Sequence, residues 1–239
     1  MYSLIDSIRS LEPTTFSEDT HNLAQDVDEY LHPVLSYWYR PTETPPDGNC
    51  LWHMISLGLC GSTALMPVLR LVTAFTLLEN EDYFQHLIQQ NEHANLSFEQ
   101  QVAVALRFGA WGGEMHLHAL SIAPHRPMYI YTSFLEPDGL NVYLSASDSE
   151  DLQDHFRNRV RGTTQHFVYK PPGADSEISG RDPLCGFFMG SHYTALLPQS
   201  SEPVRFVPTS NITGRGNRYL LNVYFRQPVL DFFSIAHEE

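Results

Sequence analysis

Asp47-Gly48-Asn49-Cys50-Leu51-Trp52 brings a cysteine out of a tight turn and into the apolar run that continues to Leu57. A cysteine in the first turn of a helix meets free backbone amides and the positive end of the helix dipole. Both favour thiolate over thiol, and thiolate is the form that attacks a carbonyl carbon. The same amides suit the oxyanion that such an attack creates. The chemistry also needs a base, and the best placed is His192 in Gly190-Ser191-His192-Tyr193-Thr194-Ala195-Leu196-Leu197, where a histidine opens an apolar strand that would hold its imidazole rigidly.

The other reactive side chains read differently. A free cysteine is more often a small buried hydrophobe than a nucleophile, and Cys60 and Cys185 lack both a preceding acid and a helix start. His53 stands three residues after Cys50 on a neighbouring helix face, but a base on the same short helix reaches the thiol poorly. His116 and His118 are two apart, which on a helix points them away from each other, and no C-x-x-C pair accompanies them. No metal and no cofactor is therefore expected. Trp52 and Trp111 read first as packing residues.

The elements that must position these groups follow from periodicity. Pro41-Thr42-Glu43-Thr44-Pro45-Pro46 cannot continue a helix, so an extended segment should lead into the Asp47 turn, after a weak helical pattern around Leu23 to Leu31. The cysteine helix is predicted to end near Gly58 and Gly61. Helical spacing marks two helices between Thr63 and Gln90, broken near Glu79-Asn80-Glu81, with Pro67 acceptable in a first turn. Ser97-Phe98-Glu99-Gln100 has the form of a capping box opening a helix to about Phe108, and a further helix is expected over Glu114 to Leu120. After Pro124 the pattern turns to β. Strands are predicted at Met128 to Phe134, Phe167 to Tyr169, Gly186 to Met189, Tyr193 to Leu197, Val204 to Val207 and Tyr219 to Phe225, with a hairpin through Pro137-Asp138-Gly139 into Leu140 to Leu144. Helices first and strands later define an α+β class.

Composition narrows the function. With 239 residues, 42% of them hydrophobic and 12% aromatic, the chain can bury a sizeable core, which disfavours wholesale disorder. Fourteen basic against 28 acidic residues give a net charge of −14, a surface that repels phosphate backbones, so nucleic acid is not an expected partner. No apolar stretch is long enough to span a membrane, and three irregularly spaced cysteines fit a reducing, intracellular compartment, cytoplasmic or nuclear.

With these residues in view, the chain resembles the ovarian-tumour (OTU) cysteine proteases, which remove ubiquitin from other proteins. Asp47-Gly48-Asn49-Cys50-Leu51-Trp52 matches that family's nucleophile motif at every position. His192-Tyr193-Thr194-Ala195-Leu196 matches its histidine strand, and Trp111-Gly112-Gly113-Glu114 with Leu117-His118-Ala119-Leu120 matches an intervening segment, in the same order. The resemblance covers roughly Tyr37 to Pro198. It implies a papain-type fold with a small mixed β-sheet flanked by helices and a catalytic unit over 37–198. Residues 1–36 and 199–239 lie outside it and read as an N-terminal helical extension and a β-rich C-terminal extension packed on the same domain.

It also implies a thiol isopeptidase that cleaves the bond between the C-terminus of ubiquitin, or a ubiquitin-like modifier, and a lysine. Cys50 would be the nucleophile and His192 the base, with Gly48, Asn49, Trp111 and Gly112 on the oxyanion and substrate side. Many members orient the imidazole with Asn or Asp two residues after the histidine, where this chain has Thr194. Others use the aspartate three residues before the cysteine, so Asp47 is the expected third residue and Thr194 the alternative. The Thr194 departure leaves open a weak or catalytically silent module that binds ubiquitin or another protein, and the triad logic alone would also suit a papain-like hydrolase of unrelated peptides.

Overall fold

A computed structural model describes residues 1–31, 33–90, 96–133, 164–169, 182–189 and 191–200. In chain order these form helices α1 (Tyr2–Arg9), α2 (Gln25–Tyr30) and α3 (Pro33–Trp38), strand β1 (Tyr39–Thr42), then α4 (Cys50–Cys60), α5 (Met66–Glu79), α6 (Glu81–Gln90), α7 (Phe98–Leu106) and α8 (Glu114–Ile122). Strands β2 (Met128–Ser133), β3 (Thr164–Tyr169), β4 (Leu184–Met189) and β5 (His192–Pro198) complete them. The expected α+β class and the small mixed sheet flanked by helices are what the chain builds.

The five strands lie in the order β1-β5-β4-β2-β3. Only β2 and β4 run parallel, and every other pair is antiparallel. Strand alternation sends successive side chains to opposite faces, and both faces are covered. On one face Ile130, Ala195 and Leu197 meet Leu51, Met54 and Ile55 of α4, together with Leu69 and Val72 of α5. On the other, Tyr131, Phe187 and Leu196 meet Val27, Leu31 and Leu35. A third cluster joins Leu77, Phe84, Leu87, Phe98 and Ala119 among α5 to α8.

Sequence patterns located most of the helices. The Ser97 hydroxyl accepts the Gln100 amide while the Gln100 side chain accepts the Ser97 amide, a complete capping box for α7. The two helices expected between Thr63 and Gln90 are α5 and α6, with Pro67 in the first turn of α5. Helix α4 runs through Gly58 and stops at Gly61, whose left-handed conformation caps it. Three elements were not located individually by the sequence patterns. Helix α1 is short, yet Ile5 and Ile8 enter the α4 core; α3 begins at a proline; and β1 contains Pro41. A proline is tolerated there because β1 is an edge strand, hydrogen-bonded only to β5 in the sheet. The Leu140 to Leu144 hairpin and the strands expected at Val204 to Val207 and Tyr219 to Phe225 lie outside the described residues.

Helix α8 buries both of its histidines. His116 Nδ1 accepts the Gly113 amide at 3.1 Å, capping the helix, and its Nε2 lies 3.0 Å from the Gln101 carbonyl, to which it donates. Burial holds both His116 and His118 down at about 4. Among the described residues no cluster of three or more His, Cys, Asp or Glu has the makings of a metal site.

These histidines set an acid response. Between pH 6.5 and 4 the unfolded chain protonates both while the folded chain does not, so lowering the pH destabilises. Burial raises Glu114 to about 7, and that group acts in the opposite direction, since the folded state holds the proton that the unfolded state releases as pH rises from 4.5. Two histidines outweigh one carboxyl. The urea midpoint is therefore expected to fall from pH 6.5 to 4, and a His116→Asn variant to show a shallower fall.

Candidate active site

Helix α4 enters its first turn at Cys50, and everything around the cysteine loop serves to hold that turn in place. Asp47 Oδ1 accepts the Asn49 amide at 2.8 Å, and Asp47 Oδ2 lies 3.1 Å from His53 Nε2. Burial alone would raise the Asp47 carboxyl, but the hydrogen bonds from His53 and Asn49 prevail and bring it down to about 2. The Asn49 side chain faces the other way: its Oδ1 accepts from Arg70 Nη1 and from the Gly109 amide, each at 2.9 Å.

Two glycines make the loop possible. Gly48 has φ +81°, and a Cβ there would sit 2.1 Å from the Gly109 carbonyl oxygen, so the two loop backbones press directly together. Gly112 lies on the first turn of α4, where a Cβ would come within 2.5 Å of Leu51 Cδ2 and 2.7 Å of Trp52 Cη2. The Trp111-Gly112-Gly113 segment is thus packed against the cysteine helix itself. Trp111 is 63% exposed, contrary to the expectation that it packs, and Leu106 and Phe108 are also exposed beside it in the sequence. Trp52 is fully buried as expected, its Nε1 donating to Thr73 Oγ1 at 3.1 Å.

Arg70 binds these parts together. From α5 its guanidinium donates to Asn49 Oδ1 and to the carbonyls of Val104, Arg107 and Ala110, and its Cζ lies 3.7 Å from the centre of the Trp52 ring. Burial lowers its pKa to about 10, which leaves it charged at neutral pH.

Cys50 is 6% exposed. Burial pushes its thiol up, opposed by hydrogen bonds from the main-chain amides of Tyr193, Leu51 and Cys50 itself. Helix α4, which Cys50 opens, packs against β5, the strand that His192 opens. The helix N-terminus acts on the thiol as the sequence implied, but desolvation outweighs it. Burial likewise lowers the His192 imidazole, with Asp26, the Thr44 main chain and Asp47 pulling it back up.

The orientation of His192 differs from expectation. Both carboxylate oxygens of Asp47 are engaged by His53 and Asn49, and Asp47 acts on His192 only through space. Thr194 is buried and is not hydrogen-bonded to the ring. The ring's partner is Thr44, whose Oγ1 lies 2.8 Å from His192 Nε2 and also donates to the Tyr193 carbonyl. Cys50 and His192 form no direct hydrogen bond in this conformation. In the cysteine loop the Asn49 amide is occupied by Asp47. Thr44 and Arg70 escaped the sequence reading: Thr44 sits in a proline-rich stretch with no motif, while a cation within Leu69-Arg70-Leu71-Val72 was a signal that periodicity alone did not use.

Cys50 thus opens a helix that packs against a strand opened by His192, on a small mixed sheet flanked by helices. Residues 45–167 match the family described as OTU-like cysteine protease. The chain belongs to that family. Among solved structures, the OTU domain of OTUD1 is similar with a TM-score of 0.50 at 20% identity, covering 72% of this chain and 99% of that one. The Hazara virus OTU bound to ubiquitin gives a TM-score of 0.43 at 18% identity, covering 70% and 86%. An OTU domain in complex with ubiquitin gives 0.45 at 16%, covering 83% and 85%. No curated protein sequence matches significantly.

Two outcomes test this site. Arg70→Lys retains charge but cannot satisfy four acceptors, so thermal unfolding should show a loss on the order of 3 kcal/mol, as for a buried charged network broken on one side. With burial raising the thiol and lowering the imidazole, the resting pair is neutral. Alkylation of Cys50 by iodoacetamide should therefore keep accelerating as pH rises past the ordinary thiol range, and a plateau already reached in mildly acidic buffer would contradict the neutral pair.

Proposed function

We propose that the chain is a deubiquitinating cysteine isopeptidase, with Cys50 as nucleophile and His192 as general base and acid. The observation that carries this reading is that Cys50 opens α4 while His192 opens β5, the strand packed against that helix. Membership of the OTU-like cysteine proteases adds the substrate class, since the family resemblance implies ubiquitin or a ubiquitin-like modifier. The catalytic unit is assigned to 37–198, in an intracellular, reducing setting. No described helix is long and apolar enough to cross a membrane.

In this mechanism the imidazole takes the Cys50 proton as sulfur attacks the carbonyl carbon of the isopeptide bond. The negative oxygen of the tetrahedral intermediate is met by the Gly48 and Cys50 amides. Collapse breaks the C–N bond, and the imidazolium delivers its proton to the departing lysine amine. Water, deprotonated by His192, then attacks the thioester and releases the ubiquitin carboxylate and the free thiol. The exposed Trp111, Phe108 and Leu106 offer an apolar surface beside the cysteine loop on which an extended C-terminal tail can lie.

The competing reading, a silent ubiquitin-binding module, draws on the missing Cys50–His192 hydrogen bond. Free enzymes often tighten such bonds only with substrate. Turnover of a fluorogenic ubiquitin C-terminal amide separates the two. Cys50→Ala and His192→Ala should each abolish it, while Cys60→Ala and Cys185→Ala retain most of it. Equal losses across the three cysteines would remove the nucleophile assignment, and loss on His53→Ala with retention on His192→Ala would move the base.

A further inference from the structure

We infer that Thr44 is the positioning residue for His192, taking the place that an acidic or amide side chain would otherwise fill, and that it fixes the ring as the Nε2–H tautomer with Nδ1 free for the thiol proton. The inference rests on the reading of His192 as the base.

A hydroxyl has one proton. The Tyr193 carbonyl can only accept, so the Thr44 hydroxyl donates its proton there. Its remaining capacity toward His192 Nε2, 2.8 Å away, is as an acceptor. Nε2 must then carry a hydrogen, and a neutral imidazole so protonated presents its lone pair on Nδ1. Thr44 is 6% exposed and lies just after β1, whose Thr42 pairs with Ala195 of the histidine strand. The hydroxyl is thus fixed to the strand that carries the ring, so ring and orienting group move together.

A threonine differs from a carboxylate in what it does to the charge. A neutral acceptor orients the ring without strongly stabilising imidazolium, which agrees with a resting pair in which both partners are neutral. The charged groups acting on the ring are Asp26, near the start of α2, and Asp47 in the cysteine loop, both through space. The Thr44 main-chain carbonyl also acts on the ring, and a side-chain substitution leaves it in place.

The test combines kinetics on a fluorogenic ubiquitin substrate with ¹H–¹⁵N spectra of the histidine ring nitrogens in the full chain, for wild type, Thr44→Val, Thr44→Ser and His192→Ala. Thr44→Val keeps the shape and removes the hydroxyl. It should lower kcat about 10- to 100-fold with little change in KM, as for outer-shell groups that orient metal-bound histidines, and Thr44→Ser should restore most of the loss. The acid limb of the Thr44→Val profile should move to lower pH, because the ring loses an acceptor yet stays buried. Loosened packing would instead admit water and move it up toward the ordinary histidine value. Wild type should show the Nε2–H tautomer for His192, and Thr44→Val a mixture. The proposal is overturned if Thr44→Val matches wild type in kcat and tautomer while His192→Ala is inactive, or if Thr44→Ser is as impaired as Thr44→Val. If His192→Ala itself turns over normally, the base assignment fails, and the ring spectra alone still decide whether Thr44 holds Nε2.

Discussion

The guanidinium of Arg70 is buried without a carboxylate, and the rest of the site leans on how that charge is satisfied. Its acceptors are the carbonyls of Val104 in α7, Arg107 just after it and Ala110, and the side chain of Asn49. A buried cation left without such acceptors costs several kcal/mol, so the groups that supply them are constrained to stay. Asn49 is the residue before the cysteine helix, and its oxygen also takes the Gly109 amide. One interaction therefore fixes the end of α7, the segment leading to Trp111 and the turn that delivers Cys50.

The consequence for chemistry is a cysteine tuned by its surroundings rather than by a charged partner. The main chain of Tyr193, Leu51 and Cys50 favours thiolate, yet burial outweighs it and pushes the thiol up. Asp47 does not change this, because its carboxylate closes the loop through His53 and the Asn49 amide and, as a nearby negative charge, disfavours thiolate. Substrate entry into such a site would bring the developing negative charge within reach of amides already in place, which is where fixed dipoles act most strongly.

Much of this was legible in the residue order. Asp47-Gly48-Asn49-Cys50 announced a turn and a helix start, Ser97 and Gln100 announced their capping box, and His192 announced the strand it opens, because each rests on local backbone chemistry. What stayed hidden depends on contacts across the chain. Thr44 meets His192 across 148 positions, and Arg70 meets Ala110 across 40. Neither distance leaves a periodic trace. The partner of Asp47 was hidden for the same reason: sequence spacing shows that an acid is near the cysteine, whereas only the fold shows that His53, six residues away, takes its hydrogen bond. The exposure of Trp111 belongs with these, since an aromatic residue reads as core until its neighbour Gly112 is seen lying flat on Leu51 and Trp52.

The central claim is that Cys50 is a ubiquitin-directed nucleophile. The most direct measurement is incubation of the intact chain with ubiquitin carrying a thiol-reactive group at its C-terminus, followed by mass measurement and peptide mapping of the adduct. The account predicts one ubiquitin added per chain, linked to Cys50. Linkage to the exposed Cys60 instead, or no adduct at all, would contradict it.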